Sequence, residues 1–364
     1  MAIIVIMGIP IHGSSHKLDL GRVVAGFFAH TGIARLARYW RPSDACVLTF
    51  HGVRDGSDDS QLLDLDQHVT LDLFREVCAH LAAHYTVLPL REIVEARAAG
   101  RSLPARAVAI TFDDGYESNY LHAYPVLKSM GLPATIFATA GYVDGRHAMW
   151  FHRAEMAVAR TREGSLELGP DRRLDLDDAA RRAHALGAVC SHLKTLPDDE
   201  MRSKLAAIES ALGMAEEAGQ NLPPSLRPMS WDMAREMQAS GLIEFGGHTD
   251  THPILARCPE ERQAREIRRS RERLAAELGV APRLFAFTNG KQGDYTATTQ
   301  RLLREEGFTA AFTMLEAFLL PAHDPLELPR YGCPSSRTYL EAVVSGSMAR
   351  LQSLRRNLGL VHAA

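Results

Sequence analysis

Short apolar runs alternate with longer stretches of helical periodicity along most of this 364-residue chain. The runs have the length of buried strands, at 46–50, 107–112, 134–139, 243–246, 284–287 and 310–313. Helical stretches separate them, at 71–84, 119–130, 230–240, 259–278 and 296–306. Strands that alternate with helices pair in parallel and bury both faces of their sheet. We therefore predict an α/β fold with a parallel sheet or barrel.

One long segment interrupts this alternation. Residues from about 145 to 227 are rich in Ala, Arg, Asp and Glu and have a helical pattern without a clear strand, so we predict a helical insertion beside the barrel. An α/β barrel of this length forms one domain. The predicted organisation is a helical N-terminal extension at 1–45, a barrel domain at 46–345 and a C-terminal helix or tail at 346–364.

The composition excludes some classes of function. A net charge of −3 without a block of basic residues argues against a nucleic-acid partner. The apolar start at 1–10 is too short to span a bilayer and lacks the pattern of a signal peptide. Five scattered cysteines without a C-x-x-C pair fit a reducing compartment. We expect a cytoplasmic protein without a transmembrane segment, with peripheral membrane attachment and oligomeric state left open.

Two adjacent carboxylates follow one of the predicted strands. Asp113 and Asp114 stand in the sequence TFDDG, directly after the run at 107–112. In parallel α/β folds active sites collect at the carboxyl ends of strands, where one carboxylate can bind a metal while its neighbour stays free. The alternative is an ordinary Asp-Gly turn.

Two imidazoles follow another predicted strand. His248 and His252 come after the run at 243–246, and two His four residues apart can face one cation from a single helical turn. Structural hydrogen bonds are the alternative. One carboxylate plus two imidazoles makes a three-ligand set with open positions, and the remaining carboxylate is then placed as a general base.

These segments resemble the first two motifs of the polysaccharide deacetylases, also called NodB-homology proteins or carbohydrate esterase family 4. The segment 285–290, FAFTNG, is similar to a third motif. The resemblance implies an irregular (β/α) barrel in which Asp113 is the base. It further implies that Asp114, His248 and His252 hold one divalent metal, usually zinc, although cobalt, nickel and iron also suit this ligand set. The implied reaction is removal of the N-acetyl group from a polysaccharide, lipid-linked oligosaccharide or glycoside, with attack by a metal-activated water and release of acetate.

The chain departs from the family pattern at two catalytic positions. The third motif lacks its usual Arg and Pro, with Thr288 at the Pro position. Arg330 either orients Asp113 through a charge-assisted hydrogen bond or is an exposed salt-bridging residue. The family's C-terminal Leu-x-His acid matches only Leu360-Val-His362, near the chain end. We therefore place His51, at the end of the first strand, in the site as the candidate acid.

Four further residues are candidates for substrate binding: Tyr116, Asn289, Asp294 and Trp150. Trp150 either stacks on a sugar or joins the barrel to the insertion. Asp294 either binds sugar hydroxyls or an active-site Arg, or is a turn residue. Three other functions compete with de-N-acetylation: hydrolysis of a cyclic amide or ureide on the same fold, inactive glycan binding, and a structural ion. The complete set of Asp113, Asp114 and two His argues against all three.

Overall fold

The structure, a computed structural model, describes residues 44–347 apart from 58–59, 61, 66–67, 171 and 216–218. Its strands are β1 Cys46–Phe50, β2 Gly52–Arg54, β3 His68–Thr70, β4 Thr86–Val87, β5 Ala107–Asp114, β6 Ala134–Ala138, β7 Ser165–Gly169, β8 Arg172–Asp175, β9 Ile243–Gly247, β10 Leu284–Ala286 and β11 Ala310–Phe312. Its α-helices are α1 Leu71–His84, α2 Leu90–Ala98, α3 Tyr124–Met130, α4 Ala140–Val143, α5 Trp150–Arg160, α6 Ala179–Leu193, α7 Asp198–Ala211, α8 Trp231–Ala239, α9 Glu260–Leu278, α10 Ala297–Glu305 and α11 Arg337–Val344. A π-helical turn, Asn119–Ala123, precedes α3, and 3-10 turns lie at Pro224–Leu226 and Leu255–Arg257. The extension predicted at 1–45 lies almost wholly outside the described residues, as do the tail predicted at 346–364 and Leu360-Val-His362.

The central sheet is a closed parallel barrel. Strands β1, β5, β6, β9, β10 and β11 lie side by side in that order, with every neighbouring pair parallel, and β4 pairs with β5. A closing segment at 328–331 fills the gap between β11 and β1. Its Leu328 forms a parallel bridge with Phe312, and its Tyr331 forms one with Leu48. The predicted irregular α/β barrel is confirmed.

The strands and helices form where burial dictates. All residues of β1, β5 and β6 are buried, which explains why these strands are apolar without alternation. Helix α1 begins after Thr70, whose side chain accepts a hydrogen bond from Leu73 N, and its buried residues recur with helical spacing. The Ser230 side chain likewise caps α8. None of the helices in the described part of the chain is long and apolar enough to cross a membrane.

The insertion is not purely helical, which corrects one prediction. Its helices α5, α6 and α7 share a hydrophobic core with an antiparallel hairpin of β7 and β8. Leu166, Leu168 and Leu174 of this hairpin are buried and alternate with residues that are exposed or partly exposed. This period-two pattern was present in the sequence, but it covers strands of only four or five residues within an Ala- and Arg-rich region.

Strand register brings the predicted motifs to one end of the barrel. Asp114 at the end of β5 pairs with Ala138 at the end of β6, and Ala138 pairs with Gly247 at the end of β9. His248 therefore leaves the barrel at the same level as Asp114. This is the carboxyl end of the strands, where the sequence predicted the site.

Candidate metal centre and active site

Three buried side chains meet above the barrel. The Nε2 atoms of His248 and His252 lie 3.5 Å and 3.2 Å from Asp114 Oδ1. One ligand atom from each residue lies within 4.8 Å of the others, so the three could hold a metal ion. A carboxylate and two imidazoles form the open ligand set of a hydrolytic metal site, since protein residues leave further coordination positions free.

Asp114 has the properties of a ligand that awaits a cation. It is 1% exposed, and neither carboxylate oxygen accepts a hydrogen bond of normal geometry within the described protein. Burial raises the pKa of Asp114, but the two His rings outweigh burial and hold the pKa well below its usual value. Its φ of 78° is a conformation that non-glycine residues seldom adopt. A buried, ionised carboxylate is unfavourable unless its charge is compensated, and a bound metal ion would compensate it here.

The two His ligands lie on an irregular loop rather than on the helical turn that we predicted. Thr249 and His252 both have positive φ, which is incompatible with a continuous helical turn from one ligand to the other. The Nδ1 atom of His248 lies 2.8 Å from the carbonyl oxygen of Ala286, to which it donates a hydrogen bond, and this leaves Nε2 free to face Asp114. The third motif therefore acts here as an outer support of the metal centre.

The barrel helices hold this loop in place. Glu266 of α9 accepts hydrogen bonds from the backbone nitrogens of Asp250 (3.0 Å) and Thr251 (2.7 Å). The Asp250 carboxylate forms an ion pair of 2.6 Å with Arg146, and the carboxylate is 1% exposed. These contacts fix a loop whose conformation would otherwise be unfavourable.

Asp113 is clamped by Arg330. The guanidinium donates two hydrogen bonds of 2.8 Å, from Nη1 and Nη2 to the two carboxylate oxygens, and Arg330 is fully buried. Arg330 Nε also donates to the carbonyl of Thr313 (3.2 Å). Burial raises the pKa of Asp113, but Arg330 and then His248 outweigh it, and the net pKa is below its ordinary value. Of the two interpretations of Arg330, the structure supports the one in which it orients Asp113.

The imidazoles of His248 and His252 differ in the direction of their pKa shifts. For each ring burial is the largest influence and lowers the pKa. At His248 the charges and hydrogen bonding of Asp114 and Asp113 overcome burial and raise the pKa, whereas at His252 the pKa stays below 6.5. Asp114 is therefore the anionic centre around which both rings are arranged.

His51 lies at the rim of the site. It is half-buried, its carbonyl accepts a hydrogen bond of 2.7 Å from Asn119 Nδ2, and its charge lowers the pKa values of Asp113 and Asp114. His68 lies beside His51, and no sequence motif singled it out. Burial lowers the pKa of His68 to about 3. A side chain at Gly52 would lie 1.9 Å from the His68 ring, so glycine is required for this close approach.

Two of the predicted substrate-binding residues lie in the protein interior. Trp150 is 9% exposed and packs in the hydrophobic core of the insertion, so little of its ring is available to stack on a sugar. Tyr116 is fully buried, and its hydroxyl lies 2.9 Å from His152 Nε2. The neighbour of Trp150, Phe151, is partly exposed with its ring centroid 5.1 Å from that of His252. Phe151 is the aromatic residue beside the metal centre, and its position next to Trp150 was the available sequence signal.

Asn289 and Asp294 take part in the hydrogen bonds of their own loop. Asp294 accepts hydrogen bonds from Asn289 Nδ2 (2.5 Å) and from Lys291 N (2.8 Å), as the turn interpretation predicts. The side-chain oxygen of Asn289 accepts a hydrogen bond of 2.9 Å from Lys194, at the end of α6. The insertion thereby contacts the third motif directly.

The fold and the site together define a parallel α/β barrel with a candidate Asp–His–His metal centre at the carboxyl ends of its strands. The family model described as polysaccharide deacetylase matches residues 100–311. This chain belongs to that family, as the resemblance of its motifs implied.

Curated relatives match over shorter segments. The poly-beta-1,6-N-acetyl-D-glucosamine N-deacetylase of Escherichia coli strain K12 is 31% identical over 106 residues, which is 29% of this chain and 15% of the relative. The enzyme of the same name from Staphylococcus epidermidis is 27% identical over 139 residues, 36% of this chain and 47% of the relative. The chain thus spans less than half the length of these relatives.

Solved structures share the fold over most of the chain. A Streptococcus pyogenes deacetylase in complex with acetate covers 84% of this chain and 99% of its own, with a TM-score of 0.56 and 19% identity. IcaB from Ammonifex degensii covers 83% of this chain and 97% of its own, with a TM-score of 0.53 and 22% identity. At these identities the similarity shows the fold.

Proposed function

We propose that this protein is a hydrolase of amide C–N bonds that removes N-acetyl groups from a polymeric or oligomeric amino sugar in a metal-dependent reaction. The observation that carries this proposal is that the adjacent carboxylates Asp113 and Asp114 have different surroundings. Asp114 joins two imidazoles in an open ligand set, while Asp113 is held ionised by Arg330 and belongs to no such set. A structural ion would not need the second, separately oriented carboxylate.

Asp114, His248 and His252 would hold the metal, for which we propose zinc, with cobalt, nickel and iron as the alternatives that suit the same donors. When bound, the metal supplies Lewis acidity that polarises the acetamide carbonyl and acidifies water. Asp113 takes up the proton of the attacking water at a carboxylate oxygen. Arg330 fixes the orientation of that carboxylate and keeps it unprotonated near neutral pH.

The leaving amine must receive a proton before acetate and the free amino sugar separate. We assign this step to His51, because it is half-exposed at the barrel rim and its charge acts on both Asp113 and Asp114. General acid catalysis by such a group contributes about 10²–10⁴-fold in rate. The partly exposed ring of Phe151 offers an apolar face for the sugar at the side of His252.

The names of the curated relatives suggest the first substrate to test. Those relatives are poly-beta-1,6-N-acetyl-D-glucosamine N-deacetylases, so we propose β-1,6-linked N-acetylglucosamine oligomers, followed by lipid-linked oligosaccharides and simple N-acetyl glycosides. A cyclic ureide serves as the contrasting substrate for the competing amidase function.

The test is acetate release by the zinc-loaded protein and by Asp113→Asn. We expect the variant to keep its metal and to lose about 10²–10⁴-fold in kcat, because the base is removed while the ligands remain. Equal turnover by both proteins would exclude Asp113 as the base. Hydrolysis of a ureide without acetate release from any sugar would favour the amidase. Glycan binding without hydrolysis of either substrate would favour the inactive binding module.

A further inference from the structure

The insertion contacts the loop between the two proposed His ligands through an ion-pair network. Asp198 is the first residue of α7, and its carboxylate is 1% exposed. The Asp198 Oδ2 atom lies 2.9 Å from the Nε atoms of Arg202, on the same helix, and Arg262, on the barrel helix α9. Nη2 of each arginine donates a hydrogen bond of 3.3 Å to the hydroxyl oxygen of Thr251, the residue before His252. The network therefore ends beside a proposed metal ligand.

The Thr251 hydroxyl group uses its full hydrogen-bonding capacity in these contacts. Such a group has one hydrogen to donate and two lone pairs that accept. Its hydrogen goes to Oε1 of Glu266, 2.7 Å away, and its lone pairs accept from the two arginines. Glu266 in turn accepts hydrogen bonds from the backbone nitrogens of Asp250 and Thr251, at 3.0 Å and 2.7 Å. Both the insertion and α9 are thus connected to the same short loop.

Asp198 supplies the charge that allows both arginines to approach one oxygen atom. Two guanidinium groups on a shared, uncharged acceptor repel each other. The Asp198 carboxylate offsets this repulsion, because one of its oxygens contacts Nε of both groups. Arg202 has particular need of this partner, since its side chain is 46% exposed and loses rotamer freedom when it is held at the loop. Removal of Asp198 should therefore release the insertion from Thr251.

We propose that Asp198 is a positioning residue of the metal centre, which holds the loop between the ligands His248 and His252 through the two arginines. The loop needs external contacts, because Thr249 and His252 have φ values of 66° and 60°, which are unfavourable for residues other than glycine. Such a conformation persists only when the surrounding contacts determine it. The insertion therefore helps to build the metal centre. This inference rests on the metal site of the proposed function.

The experiment compares the zinc affinities of Asp198→Ala and Glu209→Ala, measured on the metal-free, full-length protein by competition with a chromogenic chelator. Glu209 is the matched control, because its carboxylate is 2% exposed and forms an ion pair of 2.5 Å with Arg153 of the insertion. It lies on the same helix, roughly 16 Å from Asp198 at about 1.5 Å per residue. We expect both variants to melt at a lower temperature, since each loses a buried ion pair. Only Asp198→Ala should also weaken zinc binding, by about 10-fold, the lower end of the range for residues that support metal ligands.

Further substitutions test the route through Thr251. Thr251→Val removes the shared oxygen, so adding Asp198→Ala to it should weaken zinc binding little further. Asp198→Asn keeps an acceptor oxygen without the charge, and its zinc affinity should lie between those of Asp198→Ala and the wild type. Asp199→Asn, at the exposed neighbouring residue, should leave the affinity unchanged. Losses of affinity that multiply in the double variant Asp198→Ala/Thr251→Val would overturn the inference.

Hydrogen exchange followed by mass spectrometry separates this inference from the metal site itself. In the metal-free protein the amides of Asp250 and Thr251 should exchange faster in Asp198→Ala than in the wild type or Glu209→Ala. Wild-type exchange or wild-type zinc affinity in Asp198→Ala, or an equal loss of affinity in Glu209→Ala, would overturn the role of Asp198. A wild-type protein that binds no zinc would contradict the metal site, and the exchange rates would still decide whether Asp198 holds the loop. If Asp198→Ala fails to fold, Arg202→Met, at a half-exposed side chain, replaces it with the same expectations.

Discussion

Arg330 and Asp113, 217 residues apart in the chain, form a fully buried ion pair with two parallel hydrogen bonds of 2.8 Å. Arg330 belongs to the segment that closes the barrel between β11 and β1, and Asp113 is the penultimate residue of β5, which pairs with β1. Barrel closure and orientation of the proposed base therefore depend on the same residues.

Replacing Arg330 by Ala should lower stability and shift the pH dependence of activity. The change leaves a buried charge unpaired, which costs about 3–5 kcal/mol in the free energy of unfolding. Because Arg330 lowers the pKa of Asp113, its loss raises that pKa, and the acid limb of kcat/KM should move to higher pH. Arg330→Lys, which keeps the charge but loses the paired hydrogen bonds, should show a smaller shift. An unchanged pH profile and melting temperature in Arg330→Ala would contradict the clamp.

Removal of the metal should abolish activity and lower thermal stability. Ligand binding to the native state alone contributes about 2.7 kcal/mol at a metal concentration 100 times Kd. Metal analysis of wild type and His248→Ala, purified in parallel, should give about one equivalent and much less than one, respectively. Zinc should then raise the melting temperature of the wild type only. Equal metal content in the two proteins would remove His248 from the ligand set.

Acid should destabilise the metal-free protein partly through His68. Its pKa is about 3 in the folded state against 6.5 ordinarily, so the unfolded state binds the proton more tightly. Above about pH 6.5 His68 is neutral in both states and costs the folded protein no stability. As the pH falls from 6.5 towards 3, the free energy of unfolding decreases by about 1.4 kcal/mol per pH unit. His68→Leu should therefore flatten the pH dependence of urea unfolding between about pH 6 and 5. His184→Leu is the exposed control, and an equal slope in His68→Leu and wild type would refute the assignment.

Replacing Phe151 should impair substrate binding, whereas replacing its neighbour Trp150 should impair stability. Phe151→Ala removes a partly exposed ring beside His252, so we expect KM for sugar oligomers to rise with little loss of stability. Trp150→Ala opens a cavity in the insertion core and should cost about 3–5 kcal/mol in stability. Steady-state kinetics and urea unfolding of both variants separate the two effects. A higher KM in the folded Trp150 variant alone would restore the stacking interpretation.

The regular elements of the barrel were largely predictable. Helix α1 and strand β1 have the predicted bounds, and β5, β6 and β9 differ from the predictions by one or two residues. Apolar runs and helical periodicity are local properties, so they can be read from neighbouring residues. The short strands β2 and β3, helix α2 and the closing segment escaped prediction, because their pattern is too short or too irregular to distinguish from a loop.

The sequence by itself determined which side chains form the candidate site and that they follow the barrel strands. TFDDG and the paired His248 and His252 predict a carboxylate base beside a metal ligand set, because the residue types and their places after strands carry that information. Only the tertiary structure decided that Arg330 clamps Asp113, that Trp150 is buried while Phe151 lies beside His252, and that His152 contacts Tyr116. These contacts join residues far apart in sequence or depend on which way a side chain faces, and no local pattern encodes either.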